Sequence, residues 1–299
     1  MIGKLLPAFL AVAACTTSVA MAQTSPQEVE ALPASAPTLI SRYGPSPMQF
    51  GELRVPPGRG PFPVAIVIHG GCWLREFASV KGTAAIASAL ADRGIATWNI
   101  EYRALGDQGA GWPGTWQDWG AAADHLRTLA GRYPLDLKRV VAIGHSAGAP
   151  AAVYLAARPR LSAGSQIRGR DPLRLAGAVA IDGPPDITRL LGPDAEICGQ
   201  PVIARLMGGT PEQHPMRYSQ GSPGQNLPLG APVWMVSASP VLRREWAEAY
   251  RTAAEAKGDR VGIVYPAGGD HFNVIHTGKP QWREVQRLII DQAFAPRRR

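Results

Sequence analysis

An α/β fold, with a mostly parallel central sheet and helices on both faces, is what this sequence predicts. Two observations predict it. First, residues 64–68, 140–143, 176–181 and 233–236 are apolar runs of strand length with no polar face. Strands buried on both sides, as in parallel sheets, have that pattern. Second, helical stretches separate these runs, and such alternation belongs to a parallel sheet covered on both faces. The chain has 299 residues, 45 % hydrophobic and 18 % charged, which suits one sizeable core. No internal repeat and no second domain is visible, so residues 38–299 are expected to form a single domain.

The chain opens on an address. Lys4 precedes an apolar run, 5–19, and Ala20-Met21-Ala22 presents small residues where a signal peptidase reads. Residues 1–22 are therefore expected to be a signal peptide cleaved after Ala22, giving a periplasmic or secreted protein. The run is too short for a comfortable transmembrane span, and no other stretch looks membrane-spanning. Val12-Ala13-Ala14-Cys15 also resembles a bacterial lipoprotein site, with an anchor at Cys15 as the alternative. The small residues continuing past Cys15 to Ala22 favour the first site. The mature chain would keep two cysteines, Cys72 and Cys198. An oxidising compartment lets them pair, but sequence leaves open whether their Cα atoms come close enough.

Net charge is +8, with local basic clusters at 158–174 and 297–299. No nucleic-acid motif or aromatic-basic platform accompanies it, so a solvated basic surface is expected and nucleic acid is not an expected partner. No Cys/His spacing suits zinc, and no metal or cofactor is expected.

Residues 23–37, rich in Pro, Ala, Ser and Glu, are expected as a flexible leader. Two short strands are expected within 38–55, around Gly44-Pro45-Ser46-Pro47, and 56–63 is a Gly/Pro loop. The strand 64–68 follows, then a helix at 81–92 stopped by Gly94. The next strand is 95–102. Residues 112–119 are expected as an aromatic loop and 118–130 as a helix. The strand 140–143 and a helix at 149–157 come next. A basic loop leads to the strand 176–181. Residues 182–230, heavy in Pro and Gly, form a lid-like insertion with one helix near 202–207. A strand at 233–236, a helix at 242–256, a strand at 261–265 and a closing amphipathic helix at 282–293 complete the domain.

The chemistry centres on Gly144-His145-Ser146-Ala147-Gly148, between a buried strand and a helix. In that context Gly-x-Ser-x-Gly is a nucleophile elbow. A serine hydroxyl is a weak nucleophile unless it is exposed and beside a base. A sharp strand–helix turn lifts it above the sheet edge, and Gly144 and Gly148 stand where side chains would collide. The amide of Ala147, at the helix start, points where an oxyanion would form. At the end of the first long strand, the adjacent glycines of His69-Gly70-Gly71 let amides face the substrate oxygen. Gly71 or Cys72, with Ala147, are the expected oxyanion donors.

Several further motifs fall in order around the elbow: His69-Gly70-Gly71-Cys72-Trp73, Glu101-Tyr102-Arg103, Trp112-Pro113 with Asp118, and Leu135-Asp136 with Arg139. Together they resemble the esterase branch of the α/β-hydrolase superfamily. That branch includes bacterial carboxylesterases, acetyl-xylan- and feruloyl-esterase-like enzymes, and kynurenine formamidase-like enzymes. The resemblance spans about residues 43–293 and implies the α/β-hydrolase fold. It also implies the chain order serine, acid, histidine. His271, in the loop after the last strand, can then reach back to Ser146 as base, with His276 as fallback.

The acid departs from the family pattern. The family places Asp after the strand that here is 233–236, where this chain reads Ser237-Ala238-Ser239-Pro240-Val241-Leu242-Arg243-Arg244-Glu245. Asp182, at the end of the preceding strand, stands where the family has Ser and is the favoured acid. Glu245 and Asp186 are alternatives, and so is the absence of any acid.

The reaction expected is carboxylic ester cleavage through an acyl-enzyme on Ser146, acting on a small-molecule or polysaccharide-linked ester. The alternatives are an N-formyl amide hydrolase and a non-catalytic binding protein on a decayed hydrolase fold. Trp73, Trp112, Trp116 and Trp119 suit either a pocket or the core. Oligomeric state is not legible.

Overall fold

The computed structural model describes residues 23–295. The signal peptide expected at 1–22, with its Cys15 alternative, falls outside the described residues. Eight strands form one sheet: β1 (Leu39–Arg42), β2 (Phe50–Arg54), β3 (Phe62–Ile68), β4 (Ala96–Ile100), β5 (Leu135–His145), β6 (Gly177–Ile181), β7 (Val233–Val236) and β8 (Val261–Val264). Their spatial order is β1-β2-β4-β3-β5-β6-β7-β8. β1–β2 and β2–β4 pair antiparallel, and every other pair is parallel. This is the α/β-hydrolase fold. Chain order reverses beside β3, which puts the ends of β3 and β5 at the crevice where such sheets bind ligands.

Alternate residues of each central strand feed opposite faces. Val64, Ile66 and Ile68 of β3 join one buried cluster with Trp98, Leu126 and Ala152. Ala65 and Val67 join the other with Ile86, Leu90 and Val285. The first cluster is covered by α3 (Gly114–Ala130) and α4 (Gly148–Ala157), the second by α2 (Lys81–Ala91) and α9 (Pro280–Leu288). An α/β core has this two-sided burial.

Some expectations need correcting. Residues 23–37, expected as a flexible leader, carry α1 (Pro26–Glu30), closed at its start by a capping box of Ser25 and Glu28. Val29 of α1 is buried in the second cluster. Further on, the Ser35 amide donates to Ser88 Oγ. Composition suggested disorder because it does not register one apolar residue with a prepared socket. Residues 112–119 are not a loop throughout, since α3 begins at Gly114. The insertion after β6 holds three short helices where one was expected: α5 (Asp194–Ile197), α6 (Ile203–Met207) and α7 (Pro215–Gly221). The last connecting helix, α8, spans Arg244–Glu255. Among the described residues, no helix is long and apolar enough to cross a membrane.

Candidate active site

β5 ends at His145 and α4 starts at Gly148, so the chain reverses over Ser146 and Ala147. Ser146 takes the left-handed conformation, φ 55°. A Cβ at Gly144 would strike the Gly148 carbonyl, and one at Gly148 the Ile68 carbonyl. The Ser146 amide donates to the Ile181 carbonyl at 2.8 Å, which hangs the turn on the end of β6. These restraints leave the hydroxyl at the sheet edge.

The loop after β8 brings His271 to that hydroxyl. His271 Nε2 lies 3.0 Å from Ser146 Oγ, and Nδ1 lies 2.7 Å from Asp182 Oδ2. With the Nδ1 proton held by the carboxylate, the Nε2 lone pair faces the serine. Asp182 is fully buried at the end of β6 and also left-handed, φ 47°. Its Oδ1 accepts from the amides of Ala238 and Ser239, at 2.8 and 3.0 Å, and its Oδ2 accepts from Ser239 Oγ. Burial alone would push this carboxyl upward. The hydrogen bond and charge of His271, with the Ser239 and Ala238 donors, outweigh burial and hold it below the usual carboxylate range.

The other candidates stand apart. Glu245 is exposed in the first turn of α8. Asp186 caps a 3₁₀ turn, accepting from the Thr188 amide at 3.0 Å and from Ser222 Oγ at 2.6 Å. His276 Nδ1 accepts from the Gly278 amide at 3.2 Å and does not bond Ser146.

Gly71, Cys72 and Trp73 adopt positive φ in succession, 97°, 53° and 55°. Such a run turns successive amides toward one point. Among the described residues, the amides of Gly71, Cys72 and Ala147 donate to no acceptor. Buried groups fasten this turn. His69 Nε2 lies 2.8 Å from Glu101 Oε1, and Glu101 Oε2 accepts from the Val80 amide at 3.2 Å. Tyr102 Oη donates to the His69 carbonyl at 2.9 Å, and its ring stacks on the imidazole at 4.5 Å. Burial pushes Glu101 upward, but His69 and the backbone donors outweigh it and lower the carboxyl. Arg103 and Asp118 form a separate, half-buried brace, Nε to Oδ2 at 2.8 Å. In the sequence these residues carry only the family resemblance. An acidic residue closing a buried strand beside a histidine closing the next was the available signal.

Cys72 and Cys198 form a disulfide, with Cα atoms 5.9 Å apart. It ties the turn after β3 to the insertion after β6. His145 was also missed as more than a motif position. Buried beneath His271, it places Nε2 2.7 Å from the His271 carbonyl. Burial and the neighbouring His271 push its pKa down to about 3, so it is neutral and donates from Nε2.

Two hollows adjoin Ser146. One is a cavity of about 290 Å³ bounded in part by His271, Val29 and Gly82. The other is a recess of about 10 Å³ beside Trp73, Ala147 and Leu190. Of the tryptophans, only Trp73 lines either hollow. Trp116 and Trp119 are core residues, and Trp112 packs against them.

The family model for BD-FAE matches residues 53–236. No curated protein matches the chain. Among solved structures, a truncated carbohydrate esterase from gut microbiota superposes with a TM-score of 0.70 at 19 % identity, covering 87 % of this chain and 97 % of that one. Esterase B from Lactobacillus rhamnosis gives 0.71 at 19 % identity, covering 90 % and 89 %. Thermogutta terrifontis esterase 2 phosphonylated by sarin gives 0.69 at 16 % identity, covering 89 % and 99 %. At these identities the likeness is one of fold.

Proposed function

We propose that this chain, which belongs to the BD-FAE family, is a serine esterase cleaving carboxylic esters through an acyl-enzyme on Ser146. The observation that carries this reading is the continuous relay from Asp182 through His271 to Ser146. Ser146 Oγ attacks the ester carbonyl carbon, and its proton passes to His271 Nε2. Asp182 holds the imidazole in the useful tautomer and stabilises the imidazolium. The amides of Gly71, Cys72 and Ala147 receive the oxyanion, each such donor contributing roughly 2.7–4 kcal/mol of barrier lowering. The tetrahedral intermediate expels the alcohol, which takes its proton from His271. Water, activated by the same imidazole, then releases the acid.

Phosphonylation of the Thermogutta esterase supports the covalent route, and the carbohydrate esterase supports small or polysaccharide-linked esters as substrates. Export is part of the proposal. The N-terminal sequence ending Ala20-Met21-Ala22 supports it, and the Cys72–Cys198 disulfide suits an oxidising compartment.

The test is hydrolysis of p-nitrophenyl acetate together with fluorophosphonate labelling. The wild-type chain should turn over and label, and Ser146→Ala should do neither. A wild-type chain that neither hydrolyses nor labels sinks the reading and favours a binding protein on the same fold.

A further inference from the structure

We infer that the leaving alcohol occupies the 290 Å³ cavity and the acyl group the 10 Å³ recess, so that the substrates are short-acyl esters of bulky, largely apolar alcohols. This rests on the esterase reading above. In the tetrahedral intermediate the carbonyl carbon carries Ser146 Oγ, the oxyanion, the acyl carbon and the alcohol oxygen. The oxyanion is committed to the amides of Gly71, Cys72 and Ala147. Collapse breaks the bond between carbon and alcohol oxygen, and that oxygen must take the proton His271 Nε2 received from Ser146. The transfer needs the oxygen within about 2.6–3.2 Å of Nε2. The alcohol therefore leaves on the His271 side, and the acyl carbon takes the remaining direction.

The two hollows divide along that line. His271 and its neighbours Phe272 and Ile275 line the large cavity and are absent from the recess. Ala147, Trp73, Pro184 and Leu190 line the recess and are absent from the cavity. A volume of about 10 Å³ is close to that of a single water-sized sphere, so the recess suits only the smallest acyl groups. The disulfide closes the recess from the insertion side, since Cys72 and Cys198 both line it.

α1 and the start of α2 also line the large cavity, through Pro26, Val29, Gly82 and Thr83. Val29 of α1 is 2 % exposed and forms part of that wall. Gly82 of α2 lines the same cavity, and a Cβ there would meet nothing within 4 Å. A methyl group at position 82 thus strikes no protein atom, and a longer side chain there adds bulk to this part of the lining. Phe77, 45 % exposed, stands at the rim, where an aromatic or alkyl alcohol emerges.

Two substrate series test the assignment. One fixes acetate and enlarges the alcohol, from methyl acetate to 2-phenylethyl acetate. The other fixes methanol and lengthens the acid, from methyl acetate to methyl hexanoate. The wild-type chain should favour 2-phenylethyl over methyl acetate in kcat/KM and reject methyl hexanoate. Gly82→Leu should lower the 2-phenylethyl-to-methyl ratio by about tenfold and leave the hexanoate-to-acetate ratio where it was. Leu190→Ala should do the converse, raising the hexanoate-to-acetate ratio by about tenfold. Gly82→Ala provides a milder change if leucine impairs folding. The assignment falls if Gly82→Leu moves the acyl ratio, if Leu190→Ala moves the alcohol ratio, or if neither ratio moves. Failure of the wild-type chain to hydrolyse any ester or to label with fluorophosphonate would instead strike the esterase reading beneath it.

Discussion

His145 Nε2 donates to the carbonyl oxygen of His271 across 2.7 Å, so the residue before the nucleophile holds the main chain of the residue that faces it. The two rings lie 4.6 Å apart, and burial with the His271 neighbour pushes the His145 pKa down to about 3. In the unfolded chain it would titrate near ~6.5. The folded value is depressed, so this group's contribution is fully present above about 6.5 and is lost as pH falls toward about 3. Urea unfolding at pH 7.5 and 5 should show the wild-type chain losing about 2 kcal/mol more than His145→Gln, which keeps a donor but no proton to gain. Equal losses would remove His145 from the account.

Asp182→Asn should lower kcat by about 10⁴ with the fold intact, because an amide no longer dictates the imidazole tautomer. Glu245→Gln should leave kcat unchanged. Steady-state kinetics on p-nitrophenyl acetate, with circular dichroism as the fold check, decides between the two carboxylates.

Ser239→Ala removes a hydroxyl donor from a fully buried carboxylate. Such bonds to charged groups are worth about 1.5–3 kcal/mol. The Asp182 carboxyl should rise, and the acid limb of the kcat/KM profile should rise with it if Asp182 must be ionised. A profile that does not move would show that the two backbone amides suffice.

Cys198→Ser opens a covalent link spanning 126 residues and frees the turn that presents the Gly71 and Cys72 amides. Stability should fall by about 2–4 kcal/mol, with kcat falling more than KM changes. Denaturant titration and initial rates on the oxidised protein and the variant measure both. An unchanged kcat would mean that His69, Glu101 and Tyr102 hold the turn unaided.

Much of this architecture is legible from local pattern. The runs ending at Ile68, Ile143, Ile181 and Val236 announce themselves because strands buried on two faces favour apolar residues at every position. Ser146 is legible because its turn demands glycine on either side. What local pattern cannot carry is a relation between distant segments. Val29 lies in a stretch whose composition suggests disorder, and its socket is built from α2 and the sheet. The turn's buried braces, Glu101 to His69 and Tyr102 to the His69 carbonyl, join the ends of two strands. Asp182 is the intermediate case. Residues 237–245 signalled a vacancy, and the strand end before it held one carboxylate too many. Sequence could rank Asp182 first, but the Ala238 and Ser239 donors that hold it became visible only in three dimensions.

β6 and β7 are neighbours: the carboxylate that ends β6 bonds the His271 imidazole, and the two amides that follow β7 hold that carboxylate. The charge and its donors are thus divided between two strands, so a slip of β7 against β6 would strip the donors from a buried carboxylate and leave the imidazole where it stands.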